Sequence, residues 1–168
     1  MLDSRVAKFT RLINMPTIIK RSLIFIALMV AGLALYAFWY GITADKYDKT
    51  VVPYLDKNLP RITSWQYSKL KPLLTPQAQS EFETKAGRAS FILFASLGKL
   101  QSTGKPQYGA KGSEMSEGLG EVDVVSYTVP VVFDTGPAVI KLNLVINGDS
   151  HIIQHIGISS KLFAQPDE

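Results

Sequence analysis

Cysteine is absent from this chain, which excludes disulfide frameworks, thiolate metal sites and cysteine nucleophiles. Histidine occurs only twice, at His151 and His155, so imidazole chemistry has few places to reside. Charge is scarce too, at 19% of 168 residues, while hydrophobic residues reach 46%. Mean hydropathy is +0.12. That balance excludes a disordered polyelectrolyte and points to a chain associated with a membrane. No phosphate loop, dinucleotide fingerprint, G-x-S-x-G or H-E-x-x-H occurs.

The net charge of +4 is unevenly spread. Residues 1–21 hold Arg5, Lys8, Arg11, Lys20 and Arg21 against Asp3 alone, and this flank carries the whole excess. The remaining chain is neutral, so the pI of 9.2 describes a tail. A nucleic-acid-binding domain would carry its basic patch in the folded part, and nucleic acid is excluded as a partner.

From Ser22 to Ile42 runs a 21-residue stretch without a charge. A helix of that length rises about 30 Å, the thickness of a bilayer's hydrocarbon core. Tyr36, Phe38, Trp39 and Tyr40 gather at its far end, as in an interfacial belt. The basic flank before it predicts a cytoplasmic N-terminus and an outward C-terminal domain. Three regions follow: a basic cytoplasmic tail (1–21), a transmembrane helix in contact with lipid (22–42) and an extracytoplasmic domain (43–168). The rival reading is a cleaved signal peptide, with Leu35-Tyr36-Ala37 as a poor cleavage site. The apolar run exceeds a typical signal core, which favours an uncleaved signal-anchor of a single-pass protein. Val6, Phe9, Leu12, Ile13, Ile18 and Ile19 would let the tail lie on anionic lipid as an amphipathic helix, although Pro16 interrupts it.

After the anchor the pattern is helical. Asp45–Asn58 carries Tyr47, Val51, Val52, Tyr54 and Leu55, with Pro53 against a regular helix and Pro60 ending it. Ile62, Trp65, Leu70, Leu73 and Leu74 predict one buried face near 62–74. Thr75-Pro76 is a start signal for a helix to about Lys85, with Gly87 as its breaker. Residues 89–97, apolar nearly all round, read as the central buried helix, closed by Gly98 in a left-handed cap. Then Gly104, Gly109, Gly112, Gly118 and Gly120 mark a short strand near 105–110 and a mobile loop to 120.

The last third alternates. Val125, Tyr127, Val129, Val131 and Phe133 share one face of a strand, with Pro130 implying an edge or a bulge. Asp134-Thr135-Gly136-Pro137 is a turn, followed by Ala138, Ile140, Leu142, Leu144 and Ile146. Asn147-Gly148 signals a hairpin into a third strand, His151–Ile158, with Ile152, Gln154, Ile156 and Ile158 on one face. The expected architecture is α+β: helices packed on an antiparallel meander, with Trp65, Phe94, Tyr127, Leu142 and Ile156 together in the core.

The helix with Trp65, the stretch Lys71–Gln79, the turn Ser96–Leu100 and the closing pair 139–146 and 152–159 give residues 45–160 a resemblance. They resemble small membrane-anchored bacterial domains of the cystatin-like, nuclear-transport-factor-like superfamily. The resemblance implies a curved sheet around helices that can leave a pocket. It also implies an inner-membrane location with a periplasmic domain. Some members are isomerases or dehydratases, many have no activity, and others are anchored assembly subunits of type IV secretion systems.

Chemistry is hard to place. His151 and His155 share strand parity, but about 13 Å separates α-carbons four residues apart at ~3.3 Å each, too far for one metal ion. The carboxylate pairs Asp45/Asp48, Glu114/Glu117 and Glu121/Asp123 lie in polar surroundings, where nothing drives their pKa values apart. Tyr127 is the one polar group on the long inward face, and reads as core unless a buried carboxylate sits beside it. No catalytic, cofactor-binding or metal-ligating residue is therefore assigned, and no cofactor is expected. Function reduces to three classes. The first is a non-enzymatic scaffold or assembly subunit binding an envelope protein complex. The alternative is a binder of a small apolar ligand in the sheet cavity. The third is an isomerase-type enzyme.

Overall fold

The computed structural model describes residues 17–116, 120–147 and 150–163. The expectations placed on residues 1–16, on Glu117 and Gly118 and on Gly148 lie outside these. The chain divides into two compact units between Asp45 and Lys46.

A single helix, α1 (Thr17–Ile62), crosses that division. Its N-terminal part is the one helix among the described residues long and apolar enough to span a membrane, with mean hydropathy 2.2 over its best window. The expected break at Pro53 and the stop at Pro60 do not occur. An interior proline costs about 3 kcal/mol in helix stability. Here Tyr47, Val51, Leu55 and Leu59, four residues apart, form one buried stripe whose burial offsets that cost. Both prolines are exposed, as are Lys49 and Asp56, the residues four positions before them whose carbonyls a proline cannot serve as donor.

The helix expected near 62–74 is broken. Thr63 and Ser64 donate their hydroxyls back to the carbonyls of Leu59 and Arg61, and Trp65 turns into the left-handed region at φ +54°. Only a short α2 (Tyr67–Leu70) and a 3-10 turn (Lys71–Leu73) follow. Helix α3 (Pro76–Glu83) starts as its sequence predicts, with the Thr75 hydroxyl accepting from the Ala78 N–H at 3.2 Å. Its terminator is Thr84 rather than Gly87. Thr84 also caps α4 (Lys85–Ala95), accepting from the Gly87 N–H at 3.0 Å. Gly87 is needed for another reason: a Cβ there would lie 2.1 Å from the Glu81 carbonyl oxygen.

Helix α4 is not the central buried helix. None of its residues is buried. Phe91 and Phe94 are half-buried, Ile92 is 71% exposed and Leu93 is 48% exposed. Gly98 adopts φ +80° as expected, and its carbonyl accepts the Trp65 indole N–H at 2.6 Å.

Five strands form a curved antiparallel sheet: β1 (Leu100–Thr103), β2 (Gln107–Ser116), β3 (Gly120–Phe133), β4 (Gly136–Asn147) and β5 (Ser150–Ser160). The meander β3-β4-β5 is as predicted. The glycine-rich stretch is not a loop: β2 continues to Ser116, paired with β3. β1 and β2 lie end to end along β3. Pro130 is thus in an interior strand. Its carbonyl accepts from Gly104 N–H at 2.7 Å, so its missing donor faces the gap between β1 and β2.

The core fills the space between α1 and the sheet. Tyr127, Leu142 and Ile156 are buried there as expected, while Trp65 and Phe94 are only half-buried at its margin. Between Asn143 and Leu144 the register of β5 shifts, with Gln154 as the extra residue. This bulge changes the side-chain parity. His151, Ile153, Ile156 and Ile158 share the face of Ile146, Leu144, Leu142 and Ile140, whereas His155 pairs with Asn143 on the opposite face. The expected face of Ile152 and Gln154 with Ile156, and the shared face of the two histidines, are both corrected by it.

Candidate functional site

The polar groups of the domain converge along the first turns of α1 beyond Asp45. Tyr127, fixed on β3 by the alternating pattern, is 1% exposed. Its hydroxyl donates to Asp48 Oδ1 at 2.7 Å. The sequence placed Asp48 among solvated surface charges. The structure instead makes it half-buried and pairs it with the tyrosine. Tyr108 stands against Tyr127 edge-on at 5.8 Å and stacks on Tyr47 at 6.1 Å. Lys111 and Asp123 close the group with an ion pair of 2.8 Å. The Asp123 carboxylate, assisted by the Tyr47 hydroxyl, holds the Lys111 ammonium above its ordinary range.

A tyrosine beside a carboxylate is part of what proton transfer requires. A substrate also needs room at the hydroxyl. Tyr127 leaves little such room, being 1% exposed. The pair ties helix to sheet: Asp48 follows buried Tyr47 at the edge of the buried stripe of α1, and Tyr127 lies in the buried row of β3.

A second junction lies farther along α1. His151 shares a hydrogen bond with the Thr50 hydroxyl at 3.1 Å and stacks on Tyr54 at 5.3 Å. Among the described residues the Tyr54 hydroxyl has no hydrogen-bond partner, and burial pushes its pKa up to about 12 against the opposing pull of Arg61. His155 is exposed on the other face. Glu114 accepts a hydrogen bond from the Gln154 amide at 2.7 Å, and Glu121 is exposed. Among the described residues no group of three or more histidines and carboxylates is placed to hold a metal ion.

What sequence reasoning missed is on the surface. Beside the exposed Ile92 opens a recess of about 510 Å³, lined by Tyr67, Phe82, Glu83, Arg88, Phe91 and Ile92. A second groove, of about 350 Å³, runs between Phe94 on α4 and residues 154–158 of β5. A third, of about 750 Å³, includes Thr103, Pro130, Val132, Pro137, Val139 and Lys161. The signal for the first was the run Phe91-Ile92-Leu93-Phe94. Four consecutive large apolar residues cannot all face one side of a helix at 3.6 residues per turn.

Compared with known protein families, curated proteins and solved structures, the chain matches none.

Proposed function

We propose that this chain is a single-pass protein of the bacterial cytoplasmic membrane. Residues 22–42 contact lipid, the N-terminus is cytoplasmic, and the cystatin-like domain lies in the periplasm or outside. It acts without catalysis, as a scaffold or assembly subunit that binds other envelope proteins. The observation that carries this reading is α4. In a domain whose core is filled by α1 and the sheet, Ile92 at 71% and Leu93 at 48% exposure remain in water side by side. Adjacent apolar side chains left bare mark a contact surface.

The test is photocrosslinking in cells from a benzophenone amino acid at position 93, with exposed Lys57 of α1 as the control position. Discrete adducts with envelope proteins at 93 and not at 57 support the reading. Equal labelling at both positions, or none at 93, overturns it.

A second reading, a binder of a small apolar ligand, draws on the 750 Å³ groove along Pro130, Val132 and Val139. Its volume lies within the range of ligand sites. Val132→Trp would fill that groove, and only this reading expects the substitution to abolish function.

A further inference from the structure

The recess beside Ile92 has fixed walls. Tyr67 and Phe82 lie 6.4 Å apart, Tyr67 and Phe91 6.2 Å, and Phe82 and Phe91 6.1 Å, the last two pairs edge-to-face. The Tyr67 hydroxyl donates to the Gln79 carbonyl or to Glu83 Oε1, both at 3.3 Å. The rim is charged. Lys71 Nζ lies 2.9 Å from Glu83, which its hydrogen bond and charge hold below the usual carboxylate range. Glu83 is thus already matched by Lys71. Arg88 is different: Nε donates to the Glu83 carbonyl at 3.1 Å, which orients the guanidinium, and its Nη groups make no hydrogen bond among the described residues. Two cations and one anion leave this rim net positive, with planar donors open beside an aromatic hollow.

We propose that this face docks a segment of a partner protein that presents a bulky apolar side chain next to a carboxylate. The side chain enters the recess and packs on the cluster formed by Tyr67, Phe82 and Phe91. The carboxylate pairs with the Nη groups of Arg88, a geometry suited to two parallel hydrogen bonds. Flanking apolar groups of the segment cover Ile92 and Leu93. This deepens the scaffold reading and rests on it. A free small ligand in the hollow would leave Leu93 bare. The surface of an anionic bilayer has no side chain to fill a recess.

The test uses the full chain in maltoside micelles with Trp39→Phe. Trp65 is then the only indole, 6.5 Å from Phe91. The probes are acetylated, amidated peptides centred on Leu-Phe-Glu, with Leu-Phe-Lys and Ser-Ser-Glu as counterparts. We expect the Leu-Phe-Glu peptide to change Trp65 emission saturably, with each counterpart at least ~10-fold weaker, as loss of the charge-assisted contact in Leu-Phe-Lys and of the buried apolar side chain in Ser-Ser-Glu implies. Arg88→Gln should weaken Leu-Phe-Glu by a similar factor. Arg88→Glu should reverse the preference towards Leu-Phe-Lys. Arg88 is exposed, so unchanged circular dichroism will confirm that these variants fold.

Equal response to the Glu and Lys peptides, or no saturation by millimolar concentrations, overturns the proposal. So does an Arg88-independent response to phosphatidylglycerol vesicles, which makes this a lipid face. Self-association abolished by Ile92→Ser also overturns it, because the occupant is then a second copy. If crosslinks from position 93 persist while the peptides fail, the scaffold reading stands and only the partner's chemistry is wrong.

Discussion

The hydroxyl of Tyr127 on β3 lies 2.7 Å from Asp48 Oδ1 on α1, across 79 positions of sequence. It is a polar tie that fastens this helix to the sheet, as is that of His151 with Thr50. A hydrogen bond to a charged acceptor contributes about 1.5–3 kcal/mol, and the half-exposed position of Asp48 puts this one at the low end. Tyr127→Phe should therefore lower stability by about 1–2 kcal/mol, and a cycle with Asp48→Ala should show coupling of similar size. Function should survive in Tyr127→Phe. A folded, inserted variant that has lost all biological activity would mean that the pair does chemistry.

Tyr54 gives the opposite sign. Its hydroxyl is buried without a partner among the described residues, so Tyr54→Phe removes a desolvated group and should raise stability by up to about 1 kcal/mol. The raised pKa adds a pH signature. The native state holds the phenolic proton more tightly than the unfolded chain, so this contribution is intact below pH 10. It is lost as pH rises from 10 towards about 12. Urea titrations across that range should show a smaller alkaline loss in Tyr54→Phe than in the wild type. Parallel curves would contradict the burial of the hydroxyl.

Those two tyrosines show where sequence reasoning stops. The period-two run from Val125 to Phe133 put Tyr127 in the core, because a half-buried strand writes its burial into alternation. Asp48 could not be matched to it, since pairing across 79 residues has no local signature. The bulge at Gln154 was silent as well: no glycine or proline marks it, yet it separates the faces of His151 and His155. Helix α4 misled in the other direction. Its apolar run is genuine, but composition does not say which neighbours arrive to cover it, and here they cover Phe91 and Phe94 more than Ile92. The second half of β2, beyond Ala110, was read as a loop because its contribution is backbone pairing rather than apolar side chains.

That strand changes the outcome expected of a deletion. Read as a loop, residues 109–118 should be dispensable for folding. In the structure Lys111 to Ser116 pair with Val125 to Gly120, and Val124 and Val125 are buried. Removing 109–116 strips one neighbour from β3. The thermal midpoint should fall by about 10 °C or more, the shift expected from a few kcal/mol in a domain of this size. An unchanged midpoint would show that β2 adds nothing to the sheet.

Orientation is testable from the basic flank. A reporter active only outside the cytoplasm, fused after Glu168, should be active, since five of the first 21 residues are basic and one is acidic. Reversing Arg5, Lys8 and Arg11 to glutamate should reduce that signal. Activity only from a cytoplasmic reporter at the same place would reverse the proposed topology.

The junction of α3 and α4 is a close backbone contact, and Gly87 makes it. A methyl group at this position would meet the Glu81 carbonyl oxygen at 2.1 Å and the Phe82 α-carbon at 2.7 Å, both backbone atoms that cannot rotate away. Gly87→Ala should therefore cost about 1–3 kcal/mol despite the higher helix propensity of alanine. Gly112 is the control, because nothing lies within 4 Å of its added Cβ. Gly112→Ala should be neutral or stabilising by up to ~1 kcal/mol, through a less flexible unfolded chain. The separation of α3 and α4 also shapes the hollow formed by Phe82 and Phe91, which come from opposite sides of this junction. Gly87→Ala should thus weaken the binding of the Leu-Phe-Glu peptide beyond what its stability loss explains, measured at a temperature where both proteins are fully folded. If Gly87→Ala matches the wild type in both stability and peptide affinity, the close approach of the two helices is not a constraint on either.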